Sequence, residues 1–432
     1  MKRLVLIATV VWVTLPAAAA QAAFSAPQEV AAAGAFHRGF VAAADASGRL
    51  TVATRAADDP PRLTNAPRLI ERPPGGGWAD LPPVQGIAPR SYVYKTAISA
   101  AGDGALGVAW VISGRRTNSI QVAVRRPGGR LSDPIEIAGT AARGVNHAAI
   151  AVDADGDVLV AYETGTGASH THDQGQIAVA YHPAGHSSFI GPVVVDRVLS
   201  NPPVVALAQD GTGIVTWTRR QTLMAATIGA NGAVGAAKPI ARQVLGDRPV
   251  VAAGPRSAAS VAYRVNETAV HGKHASVRYS LRMLARPAGG TFGRAQTVFR
   301  GSSINRGVAL AADEQGRATL AWTGAASRAT GSRIWTSAGR AGRPFGHPRM
   351  VARRDESFEE PFSIAARNGH VALAWRQLTA GTPTGVQVAA AGWNEALDPE
   401  LISSASPAVT VAGDGRTSAI WRAGRLWASY GP

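Results

Sequence analysis

Apolar positions along this chain fall in short runs that alternate with polar or small residues, the two-residue period of a strand with one buried face. The runs come in pairs. An apolar segment meets a tight turn holding Asp or Asn with Gly, and a second apolar segment then closes on Ala-Trp or a variant of it. The pair reads AVDADGDVLVAYE around Tyr162, VVALAQDGTGIVTWT around Trp217, VALAADEQGRATLAWT around Trp322, FSIAARNGHVALAWR around Trp375 and VTVAGDGRTSAIWR around Trp421. Weaker copies end at Thr54, Trp110 and Tyr263. Successive copies lie 56, 52, 55, 46, 59, 53 and 46 residues apart. That spacing is long enough for a four-stranded propeller blade and too long for a solenoid coil.

A second hairpin follows each copy, seen at residues 120–138, 177–195, 280–299 and 386–402 as strand, Pro- and Gly-rich turn, strand. With the four strands named a to d, the a–b turn carries the Asp-Gly signal and the c–d turn carries Gly with a downstream Phe or Trp. The expected fold is all-β: an eight-bladed β-propeller of four-stranded antiparallel blades, with seven blades as the alternative. The last copy supplies strands a, b and c at residues 408–412, 417–421 and 425–430 but no strand d. Residues 24–32, FSAPQEVAA, match strand d elsewhere, as at 189–197 and 345–353. An N-terminal strand completing the last blade seals the ring and removes a free edge.

Met-Lys-Arg, an apolar run from Leu4 to Leu15, Pro16 and an Ala20-Gln21-Ala22 site have the three-part form of a secretory signal. The expectation is a signal peptide over 1–22, a single propeller domain over 23–432, and a secreted, periplasmic or cell-surface protein with no membrane span after cleavage. The competing reading is an uncleaved anchor. The chain has no cysteine, which excludes a disulfide framework and a thiol nucleophile. Stability then rests on the core, and 46% hydrophobic residues supply one.

A large flat residue at the end of every strand b is expected to fill the wedge between neighbouring blades, with about 150–250 Å² buried for each. The formal charge is +16 and nearly all of it is arginine, because Lys2, Lys95, Lys238 and Lys273 are the only lysines. This balance favours anionic partners: an anionic glycan, a cell-envelope polymer or an acidic face of a partner protein. The basic residues are scattered rather than blocked, which equally fits solvated arginines on outer strands and gives no expectation of specific nucleic-acid binding.

The strand-turn-strand unit with its Ala-Trp ending resembles the repeats of uncharacterised exported bacterial propellers, and more distantly the Tol-associated and sialidase-type propellers. The resemblance implies the architecture across the mature chain. Gly211 precedes Trp217 by six residues and Gly316 precedes Trp322 by six, whereas the sialidase Asp-box places its aromatic three after the Gly. The catalytic residues of that family are therefore not carried over.

In a propeller the d–a connections lie nearest the axis and open on the same face as the b–c loops. The residues just before each strand a are His37 and Arg38, Tyr94 and Lys95, Asn146 and His147, Asn201, Asp247 and Arg248, Asn305 and Arg306, and Glu359 and Glu360. Their divergence among otherwise similar blades fits a ligand-binding mouth, and a plain solvated rim is the other reading. His147 with His170, His172 and Asp173 of the third b–c loop, and Glu163 beside them, offer imidazole and carboxylate ligands for a divalent metal; otherwise no cofactor is expected. The Asp153–Asp157 run invites a calcium reading, against which it lacks the later ligands of an EF-hand loop. No Gly-rich nucleotide loop, G-x-S-x-G elbow or H-E-x-x-H helix is present. The expectation is a monomeric, non-catalytic binding or scaffold module. The alternative is a glycosidase or polysaccharide lyase, which calls for carboxylates about 5–9.5 Å apart across a bond.

Overall fold

A computed structural model describes residues 24–30, 40–55, 67–82, 92–113, 118–140, 144–165, 175–197, 201–245, 248–271, 274–325, 333–353, 363–379, 382–390, 393–397, 407–423 and 425–431. Among these, every sheet has four antiparallel strands and there are eight sheets, as the repeat predicts. The a strands are Phe40–Ala44, Tyr92–Ala101, Gly144–Val152, Val204–Leu207, Val250–Gly254, Ser303–Ala312, Ser363–Arg367 and Ala408–Val411, in blades 1 to 8. Each contacts the next, and the eighth contacts the first, so the ring is complete. No helix of the described residues is long and apolar enough to cross a membrane.

Strand Gln28–Glu29 pairs with strand c of blade 8, Arg425–Gly431, in the register Gln28↔Ala428 and Glu29↔Trp427. Ser25 N donates to Tyr430 O at 2.8 Å and Val30 N to Leu426 O at 2.9 Å, which extends the seal beyond the two-residue strand. Phe24 and Val30 are buried. The eighth blade is therefore built from both ends of the described chain.

The aromatic column packs as expected. Trp110, Trp217, Trp322, Trp375 and Trp421 are all at most 1% exposed, and each sits in a cluster shared with the preceding blade. Trp110 meets Ala53 and Leu69 of blade 1, Trp217 meets Leu159 and Val179 of blade 3, and Trp421 meets Ala374 and Val388 of blade 7. The alanines opposite are small enough to admit a ring in a tapering gap, which is why Ala recurs beside Trp in the repeat. The Trp217 indole N–H donates to Asp196 Oδ2 at 2.7 Å. Among the described residues the other four indole nitrogens are buried without a hydrogen-bond partner, so packing there outweighs polarity in fixing the column.

At the a–b turns, aspartates hold the chain. Asp153 Oδ1 accepts from the backbone of Asp155, Gly156 and Asp157, and Asp313 Oδ1 from that of Gln315 and Arg317. The turn of blade 5 lacks the signal and places Arg256 and Ser257 in the left-handed region, at φ of 55° and 59°. Both are tethered to blade 4: Arg256 N donates to Asp210 Oδ2, and Ser257 N to Thr212 Oγ1 at 2.8 Å. Similar bonds run between other neighbouring turns. Ala46 N donates to Gly102 O at 2.6 Å, Gly413 N to Ala46 O at 2.8 Å and Gly369 N to Asp313 Oδ2 at 2.8 Å. Gly369 is in the left-handed region at φ 84°, which favours glycine there.

Candidate functional site at the axis

The two ends of the axis are built differently. At the a–b end a cavity of about 320 Å³ is lined by the final residues of strand a and the turn residues that follow them in blades 2 to 7, among them Asp153, Asp313, Glu314 and Arg367. Arg367 ends strand a of blade 7 and reaches across the axis, where its Nη2 donates to Ala44 O of blade 1 at 3.0 Å and to Ala100 O of blade 2 at 3.2 Å. Its Nη1 lies 3.0 Å from Glu314 Oε1 of blade 6. Four blades are thus tied by one guanidinium that is 7% exposed. The sequence reading placed function at the d–a end and gave Arg367 no role. Its only signal was position: an arginine where blades 1, 3 and 6 carry the turn aspartates Asp45, Asp153 and Asp313.

At the d–a end the regular pairing breaks. In blade 2 the a–b register shifts between Val93 and Lys95, in blade 3 between Val145 and His147, and in blade 6 between Ile304 and Val308. These are bulges at the sequence-predicted positions Tyr94–Lys95, Asn146–His147 and Asn305–Arg306. An extra residue there re-aims the following side chain. Lys95 and His147 are 52 residues apart, the same place in consecutive repeats, and ring geometry makes them neighbours.

Lys95 Nζ is hydrogen-bonded to His147 Nε2 across the blade 2–blade 3 boundary. His147 is paired with Glu163 of strand b, Val158–Gly165, and its Nδ1 lies 3.3 Å from Glu163 Oε2. Glu163 is buried, whereas Lys95 and His147 are half-buried. Burial, and then the positive charge of Arg248 ahead of blade 5, pull the Lys95 ammonium down to about 8, with Glu163 opposing. Burial also holds His147 below the usual imidazole range; its bond to Glu163 works against this and the charges of Lys95 and Arg248 add to it. The imidazole is therefore neutral at physiological pH, and Lys95 is poised between charged and free amine.

Of the sequence-predicted residues, the structure brings together Lys95, His147 and Arg248, with Glu163 as their carboxylate. Asn201 lies on the same rim, its N–H bonded to Thr218 O at 3.0 Å. His37, Arg38, Asp247, Glu359, Glu360, His170, His172 and Asp173 lie outside the described residues, as do the side chains of Tyr94, Asn146, Asn305 and Arg306. Of the metal set only His147 is described, and no group of three or more metal-ligating side chains occurs among the described residues. The carboxylate Oδ1 of Asp153 is committed to its own turn, the role its sister aspartates share.

No protein-family model matches the chain, and no curated protein is similar to it in sequence. Solved structures resemble it distantly. Polysaccharide lyase Uly1 is 10% identical, with 89% of this chain and 88% of that chain covered at a TM-score of 0.43. The β-propeller domain of the Trilobed protease from Pyrococcus furiosus is 10% identical over 80% of this chain and 94% of that one, at a TM-score of 0.44. The α-L-arabinanase of Penicillium chrysogenum is 12% identical over 74% of this chain and 99% of that one, at 0.38. None of the three lends a residue role to this chain.

Proposed function

We propose that the protein is an exported propeller that binds an anionic glycan or envelope polymer at its d–a axial mouth. The observation that carries this reading is the cationic cluster of Lys95 and Arg248 around a neutral His147, with the Glu163 carboxylate buried and turned toward the imidazole. A ligand carboxylate or sulfate at this mouth meets two cations in a partly desolvated setting, where charge-assisted bonds are strongest. Export is proposed from the signal-like N-terminus. The net charge of +16 adds a long-range field that concentrates polyanions near the ring.

Binding to immobilised heparin or polygalacturonate at low salt tests this. Saturable binding that weakens steeply as salt shortens the Debye length to about 8 Å is expected, and the Lys95→Met/Arg248→Met double variant should lose most of it. If that double variant binds as the parent does, the scattered arginines are responsible and the axial mouth is not the site.

A further inference from the structure

Lys95, His147 and Glu163 form a connected chain of amine, imidazole and carboxylate. Glu163 as a carboxylate only accepts, so His147 Nδ1 carries the proton that faces it and Nε2 turns a lone pair to the Lys95 ammonium. This is the order of nucleophile, base and orienting acid found wherever a weak nucleophile is activated. The carboxylate is the buried member and the amine is half-buried. The imidazole is interposed between the lysine and the acid, and at the amine the positive charge of Arg248 outweighs the negative charge of Glu163. A lysine made easier to deprotonate by burial and a neighbouring cation is the setting of amine nucleophiles.

We propose that Lys95 captures a ligand carbonyl as an imine, with His147 as the proton carrier and Glu163 as a positioning residue. The ligand class is an aldehyde or ketone that bears a carboxylate, which Arg248 would hold. Lys95 first passes a proton to His147 Nε2, and its freed lone pair forms a bond to the carbonyl carbon. The carbonyl π pair moves to oxygen, which takes the proton from His147. The nitrogen then returns a proton to His147, its lone pair expels the hydroxyl, and that group leaves as water with the proton from His147. One ammonium and one carbonyl become one iminium and one water, with no change of oxidation state. The inference rests on the proposed binding reading for where the ligand enters and for the anionic group it carries.

The four-lysine chain makes the test direct. The purified full-length protein is incubated with glyoxylate at about pH 7.5, reduced with cyanoborohydride and mapped by peptide mass spectrometry. Lys95 should be labelled on the order of tenfold or more faster than Lys238, which sits exposed on an outer strand with no such surroundings. The Lys95 rate should level off above about 8, where the free amine already dominates. Glu163→Gln removes the charge that opposes the lowering of Lys95, so charge alone would move the profile to lower pH and leave the rate above about 8 unchanged; a positioning Glu163 instead slows labelling there, where the amine is already free. Arg248→Met, an exposed change, should slow labelling at neutral pH. Equal rates at Lys95 and Lys238, or a Lys95 rate and profile unaltered in both variants, would overturn the proposal. Selective labelling of Lys95 in a protein that retains no polyanion keeps the imine chemistry and discards the glycan reading, so the two fail separately.

Discussion

The a–b end of the ring and the d–a end are made from opposite ends of the same strands, yet one is bonded turn to turn and the other carries a linked set of titratable side chains. At the a–b end, turns bond to turns from blade to blade, and Arg367 is met by two carbonyls and Glu314. At the d–a end, bulges interrupt three a strands, and the polar groups of Lys95, His147 and Glu163 are joined to one another. Repetition explains the first, because equivalent Asp-Gly turns meet equivalent neighbours and the same bond works many times. Divergence explains the second, since the residues before each strand a differ from copy to copy and only local chemistry decides which of them pair. A repeat protein thus places stability where its copies agree and specificity where they differ.

The largest effect should come from the change that harms both ends together. Deleting residues 24–30 strips strand c of blade 8 of its partner and exposes the pockets of Phe24 and Val30, for a loss on the order of 5 kcal/mol from burial and backbone pairing. The melting curve should shift down strongly, and Lys95 selectivity should fade as the ring loosens. A truncated chain that melts within a degree or two of the parent would show that closure does not secure the ring.

Arg367→Ala separates the ends. It leaves Glu314 without its cation and two carbonyls without their donor, a cost of about 3 kcal/mol. Denaturant unfolding should register that loss, while Lys95 labelling in the folded protein stays at the parental rate. Slower Lys95 labelling in this variant would mean that the fastening also shapes the mouth.

The smallest effect is a pH signature at the mouth itself. Lys95 binds its proton less tightly in the folded chain, at about 8, than in the unfolded one, at 10.5. Its charge therefore costs stability fully below the folded value, and the cost is relieved as pH rises from about 8 to 10.5. Lys95→Met removes the group, so the variant should gain roughly 1 kcal/mol at neutral pH and none near pH 10.5, after allowing for solvent screening of a half-buried amine. His147 works on the acid side: its lowered value means that stability falls as pH drops through 6.5, the unfolded imidazole's range. Stability curves of parent and variant that run parallel from pH 7 to 10.5 would contradict the placement of Lys95.

The amino-acid sequence by itself determined the ring. Two-residue alternation, Asp-Gly turns and a recurring Trp are local or periodic signals, and their spacing and number carried the strand order, the blade count, the wedge role of Trp217 and its sisters, and the N-terminal closing strand. It also placed Lys95, His147 and Arg248 on one rim, since topology alone puts the residues before each strand a beside the axis. Only the tertiary structure decided which of these meet. The bulges after Val93 and Val145 rotate Lys95 and His147 toward each other, and a one-residue shift of that kind leaves no periodic trace in a short loop. Arg367 was likewise illegible as the fastening of the other end, because its carbonyl partners Ala44 and Ala100 are supplied by blades on the far side of the axis. Long-range contacts of this sort depend on how far a side chain reaches across a closed ring, a distance that exists only once the ring has closed.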